Sequence, residues 1–200
     1  MFKLTKEITL LTEIAACISS DKFILLERKI SKFFNQNYNP EKLYEVILQS
    51  YLFCGFPSTI ESLKIYRKYY SDTKTPKAEY DFDKFRSSGI SNGKLIYKKN
   101  YKKLIENMFV LSPDLKEWML IEGYGKVFGR KGIRLQEREL MNVSFLSAHY
   151  FEIQLHSHLQ GCLNLNIQKN IIEKVLSNLI NISGKHNTIR SLALFKLIAK

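Results

Sequence analysis

The sequence predicts an all-α fold built on an internal duplication of a four-helix unit, and three observations predict it. Apolar residues recur at helical spacing along most of the chain. No stretch alternates apolar and polar residues for long enough to count as a strand. Sliding the sequence on itself without a gap pairs Leu11 with Leu140, Leu26 with Leu155, Asn35 with Asn164, Asn37 with Asn166, Val46 with Val175 and Gly55 with Gly184, a constant offset of 129 positions. The same offset lays STIESLKIY (Ser58 to Tyr66) over NTIRSLALF (Asn187 to Phe195). A single domain over 1–200 is expected, with repeat 1 at about 4–71, a linker at 72–134 and repeat 2 at about 135–200.

In chain order, Leu4, Ile8, Leu11, Ile14, Ala15 and Ile18 mark a first helix, and Asp21 stands where an N-cap for the next would be. Leu25, Leu26, Ile30, Phe33 and Phe34 mark the second. Pro40 suits the first position of a third helix, which the Gly55-Phe56-Pro57 break ends. Ser58 then opens STIE, a capping-box pattern, for a helix to about Tyr70. In the connecting region SDTKTPKAEYDF reads as a polar loop, SSGISNG as a turn, Lys94 to Val110 as helical, and Ser112-Pro113 as the start of a helix to Phe128 carrying Trp118. Glu137 to Asn164 reads as two helices joined near Ala148 to Phe151.

Composition narrows the function classes. With 45% hydrophobic residues in 200, the chain can bury a sizeable core. It has no run of eighteen or more apolar residues, and an acidic residue interrupts the apolar stretch near its start, so neither a membrane span nor a signal peptide is expected. Three cysteines, Cys17, Cys54 and Cys162, lie far apart on apolar faces, which predicts reduced core thiols and a cytoplasmic protein. The net charge of +12 concentrates between Lys64 and Lys103, where twelve Lys and Arg face four Asp and Glu. Six tyrosines are interleaved there, which raises a stacking surface for single-stranded nucleic acid. The stronger reading is a solvated lysine-rich connector, so no nucleic-acid partner is expected.

The chemistry is expected in the Glu137 to Asn164 hairpin. Glu139 stands about ten residues before the corner and His158 about nine after it, so at ~1.5 Å per residue they reach the same height. An acid then faces an imidazole, with Gln154 one turn before His158. Under the 129-residue offset His158 falls on Lys29 and Glu139 on Leu10. Only the second copy holds the pair, so packing alone does not require it. No metal is expected, because His156 and His158 are two apart on a helix and point away from one another. His149 and His186 read as surface residues.

LSPDLKEWMLIEGYGKVFGRKGIRLQEREL (Leu111 to Leu140) with QLHSHLQGCLN (Gln154 to Asn164), and the earlier YLFCGFPSTIESL (Tyr51 to Leu63) with GKLIYKKNYKKL (Gly93 to Leu104), resemble the carboxymuconolactone decarboxylase family. The resemblance spans most of the chain. It implies an alkylhydroperoxidase D-like helical fold with an internal duplication and assembly into a homo-oligomer, trimer or hexamer. One branch of the family decarboxylates a carboxylated muconolactone without a cofactor. The other resembles alkylhydroperoxidase D, a peroxide-reducing enzyme with a Cys-x-x-Cys before the histidine. Carried over, the family's glutamate falls on Glu139 and its histidine on His158, but the cysteine positions fall on Phe151 and Gln154. Peroxidase chemistry needs a thiolate and a resolving thiol, so this branch is disfavoured, leaving Cys162 as a lone thiol one turn past His158.

The resulting expectation is a carboxy-lyase-like enzyme without a cofactor, acting on a small anionic lactone or keto acid. Its catalytic residues would be His158, Glu139 and Gln154. Loss of carbon dioxide leaves a dienolate that must be stabilised and protonated at carbon. His158 would give the proton, Glu139 would orient its ring, and Gln154 would hydrogen-bond the substrate. Gln154 occupies a place where the lactone-specific enzymes commonly carry a glutamate, so the substrate departs from theirs or is held differently. Arg138, Arg130 and Tyr124 are expected to attract and line the substrate. A peroxidase-like activity and a non-catalytic oligomeric binding protein are the second and third readings.

Overall fold

The computed structural model describes residues 2–72 and 80–199. Among them every regular element is a helix: α1 (Lys6–Ser19), α2 (Phe23–Asn35), α3 (Pro40–Tyr69), α4 (Phe82–Tyr97), a short 3₁₀ turn (Lys98–Asn100), α5 (Tyr101–Leu111), α6 (Pro113–Trp118), a π-helix (Met119–Val127), α7 (Leu135–His149), α8 (Glu152–Asn164), α9 (Lys169–Asn178) and α10 (Ile180–Ile198). The all-α expectation holds.

The duplication is written into the backbone. In the first copy Asp21, Asn37 and Gly55 take positive φ of 51°, 51° and 73°. At an offset of 129 the second copy repeats them at Tyr150, Asn166 and Gly184, with 54°, 60° and 82°. The left-handed region is sparsely allowed to residues with a Cβ, so three coincidences in register are a structural signature and not a sequence accident. Both glycines also have ψ near 180°, 175° at Gly55 and 156° at Gly184, which divides α3 and α10 each into two helical segments at a kink, as the Gly55-Phe56-Pro57 break predicts for the first. Only glycine occupies that combination readily.

Local signals explain the starts. Thr5 caps α1 by accepting from the Ile8 amide at 3.1 Å, Asn39 caps α3 with Pro40 behind it, Asp81 caps α4, and Ser112 caps α6 with Pro113 behind it. Asp21, expected as the cap of α2, does not cap it. Its left-handed backbone turns the carboxylate toward Ser58, whose hydroxyl donates to it at 2.7 Å.

The described residues form two compact units, 2–72 with 132–199, and 80–131. In the first, the equivalent helices α1 and α7 pack on each other and share one apolar core with α2, α3 and α8 to α10. Every residue of α7 from Glu137 to Ala148 is buried. A helix buried all round loses its amphipathic pattern, so the polar side chains on α7 must find partners inside.

The second unit corrects three local expectations. SSGISNG is not a turn but the middle of α4. Its glycines mark close approach: a Cβ at Gly89 would stand 2.0 Å from the Leu120 carbonyl oxygen, and one at Gly125 would stand 2.1 Å from that of Phe85. α4 and the π-helix can therefore touch backbone to backbone. The helix expected from Pro113 to Phe128 is α-helical only to Trp118 and then widens into the π-helix. The region expected to be a linker thus has a packed body of its own; of its polar loop, 73–79 lie outside the described residues.

Candidate active site

α7 and α8 are joined at Tyr150, in left-handed conformation, so they run back along each other as a hairpin. This brings the expected pair together: His158 Nδ1 lies 2.9 Å from Glu139 Oε2. Glu139 is fully buried and His158 is 8% exposed. A carboxylate oxygen only accepts, so Nδ1 carries a hydrogen toward Glu139 and Nε2 is the ring nitrogen outside this bond.

Three residues that sequence reasoning passed over complete the arrangement. The Asn142 amide donates to Glu139 Oε1 at 3.0 Å and lies 3.1 Å from His158 Nδ1. Its carbonyl accepts from Gln49 Nε2 at 2.6 Å, and Gln49 Nε2 also donates to the Arg138 carbonyl at 2.9 Å. Arg138 in turn donates to Gln49 Oε1 at 3.2 Å and, through Nη2, to Glu45 at 2.9 Å. A continuous polar chain therefore runs from Glu45 through Arg138, Gln49, Asn142 and Glu139 to His158, all of it buried. Glu45 and Gln49 are four apart on α3, and Asn142 is three beyond Glu139. That spacing is the signal from which the network could have been found.

Under the offset, His158 and Asn142 correspond to Lys29 and Glu13. In the first copy those two residues form an ion pair at 2.7 Å. The same crossing of first and second helices is thus closed by a charge pair in one repeat and by the imidazole group in the other.

Other expected residues fall elsewhere. Arg138, expected to attract substrate, is wholly buried and held by Glu45, because its position on α7 faces α3 and not solvent. Tyr124 and Arg130 belong to the second unit. There the Tyr124 hydroxyl shares a hydrogen bond with Tyr97 at 2.5 Å, and its ring packs edge-on to Phe128. Gln154 is exposed, one turn before His158 on α8. His149, His156 and His186 are exposed.

Phe53 stands edge-on to the His158 imidazole at 5.9 Å and stacks on Phe145 at 5.3 Å. Phe53 also lines a cleft of about 270 Å³ with Ser19, Asp21, Cys54, Ser58, His149 and Phe151. Phe53 is thus common to the surroundings of the imidazole and to this cleft. Cys162 lies one turn past His158 and is wholly buried. Burial first, and the Glu139 charge second, push its thiol well above the ordinary range, so it is a neutral thiol and not a nucleophile. Among the described residues no three His, Cys, Asp or Glu stand where they would hold a metal ion.

No family model matches the chain. It is similar to Peroxisomal protein 2 of Saccharomyces cerevisiae, with 25% identity over 191 residues covering 81% of this chain and 68% of that protein. It is also similar to Peroxisomal protein 2 of Schizosaccharomyces pombe, with 29% identity over 171 residues covering 82% and 76%. The likeness runs along most of each chain, at an identity too low to carry a reaction across. No helix among the described residues is long and apolar enough to cross a membrane.

Proposed function

We propose that this chain is a carboxymuconolactone decarboxylase-like enzyme that moves a proton at carbon on a small carboxylated lactone or keto acid, using the Glu139–His158 pair. The observation that carries the reading is the 2.9 Å hydrogen bond between two buried groups, continued inward to Asn142 and Gln49. A hydrogen-bonded Nδ1 fixes the ring and leaves Nε2 as the atom that exchanges protons with a ligand. In the proposed step the carbon–carbon bond to the carboxylate breaks, carbon dioxide leaves, and the electron pair passes into the dienolate. Nε2–H of the protonated ring then delivers its proton to carbon. Gln154, at the solvent end of the same helical face, is the donor proposed for the substrate's carboxylate or lactone oxygen. Phe53 must swing aside for the substrate to reach Nε2 from the neighbouring cleft.

The test is carbon dioxide release from a carboxylated muconolactone. His158→Ala is expected to abolish it, Glu139→Gln to lower it by about 10²–10⁴, and Cys162→Ser to leave it intact. Loss in Cys162→Ser with consumption of peroxide by a thiol donor would establish the peroxidase-like reading instead. The low exposure of His158, 8%, favours a second reading, a non-catalytic binding protein. It predicts ligand held without turnover in both assays, and none gained in Phe53→Ala. Assembly as a trimer or hexamer belongs to the proposal and is read by analytical ultracentrifugation. The names of the relatives favour a peroxisomal setting over the cytoplasmic one inferred from reduced thiols, and fractionation of the tagged chain decides between them.

A further inference from the structure

In the second unit, α5 and α6 carry no buried residue at all. Yet α5 contains Tyr101, Leu104, Ile105, Met108, Phe109, Val110 and Leu111. At the corner where α5 turns into α6, Phe109 is 54% exposed, Val110 85%, Leu111 72%, Leu115 42% and Trp118 62%. Helices of eleven and six residues are marginal in water unless an apolar face is covered, and contiguous exposed apolar side chains of this size mark a contact surface.

Charge says what kind. Lys94, Lys98, Lys99 and Lys103 are exposed and have no ion-pair partner among the described residues, and Lys102 reaches Glu106 only at 3.8 Å. Lys116 lies over the Phe109 ring at 5.4 Å. Phe, Leu, Val and Trp at the corner, with lysines along the approach, are the composition of a segment that lies in a lipid interface, its apolar side chains among the acyl chains and its ammonium groups on anionic headgroups. A two-fold contact of this corner with its own copy would set these same lysines against themselves. We propose that the α5–α6 corner docks this protein onto an anionic membrane surface, with Phe109, Val110, Leu111 and Trp118 inserted and Lys98, Lys99, Lys102 and Lys103 on the headgroups.

This departs from the expectation that the chain has no membrane partner, which followed from the lack of a long apolar run; an interfacial corner requires none. It also stands apart from the proposed reaction, since its residues belong to one compact unit and His158 to the other.

Trp118 is the only tryptophan, so its fluorescence reports on this corner alone. With phosphatidylcholine vesicles containing phosphatidylserine, its emission is expected to shift to the blue and the chain to sediment with the lipid. Pure phosphatidylcholine should do this weakly. Phe109→Asp/Val110→Asp, both on exposed positions, should weaken partitioning on the order of tenfold or more. Lys102→Glu and Lys103→Glu should each lower it about fivefold or more and remove the preference for phosphatidylserine. His158→Ala should bind as wild type does, which separates this test from that of the reaction. Three outcomes overturn the proposal: no shift with anionic vesicles, undiminished binding by the double aspartate variant, or a blue shift that grows with protein concentration in the absence of lipid. The last would assign the corner to a second copy of the chain.

Discussion

Glu139 and His158 were legible at the residue scale because helical rise and a hairpin corner are arithmetic, and the fold sets them 2.9 Å apart. Arg138 was not legible, since a sequence cannot say that α7 is buried on every side. An arginine beside a reactive acid reads as a substrate clamp until Glu45 is seen holding it. Removing one partner of such a pair strands a charge in the core. Glu45→Ala is therefore expected to cost about 3–5 kcal/mol in denaturant unfolding, while Glu45→Leu/Arg138→Met recovers most of it. Cys54 offers a pH test. Its thiol, in the cleft behind Phe53, is pushed up to about 11, chiefly by burial, with the Asp21 charge adding to it and the Ser19 hydrogen bond opposing it. A raised thiol is protonated at neutral pH and becomes reactive only as the pH climbs. Alkylation of Cys54, followed by peptide mass, should thus rise through pH 9 and level off near the shifted value. A plateau at about pH 8.5, the ordinary value, would contradict the burial.

Periodicity found the helices at the scale of the element and misjudged what glycine does in them. SSGISNG looked like a turn by composition, yet Gly89 is where α4 admits the backbone of its neighbour. Gly55, expected as a break, and its counterpart Gly184 both leave helical geometry, so each joins two helical segments at a kink. They differ usefully from Gly89 in that nothing stands within 4 Å of a Cβ at Gly184. The cost of Gly184→Ala is then purely conformational and expected at about 1–3 kcal/mol by urea unfolding. Gly89→Ala adds a collision with a carbonyl oxygen that cannot move alone, and is expected to cost more.

For the whole molecule, the duplication was visible in six paired positions of the sequence, and the backbone restates it in three paired left-handed residues. Sequence could not show that the two copies share one core. Because α1 packs on α7 and the apolar cluster draws on both halves, a chain ending after the first copy exposes the face of α1 that α7 covers. Expressed alone, residues 1–75 are expected to lack cooperative thermal unfolding by circular dichroism, where the full chain shows it. The ion pair of Lys29 and Glu13 has a further consequence. It stands in the first half at the crossing where the imidazole and its amide neighbour stand in the second, so the polypeptide carries its own internal control. A probe that perturbs both crossings alike is reporting on scaffold; one that perturbs only the second is reporting on reactivity.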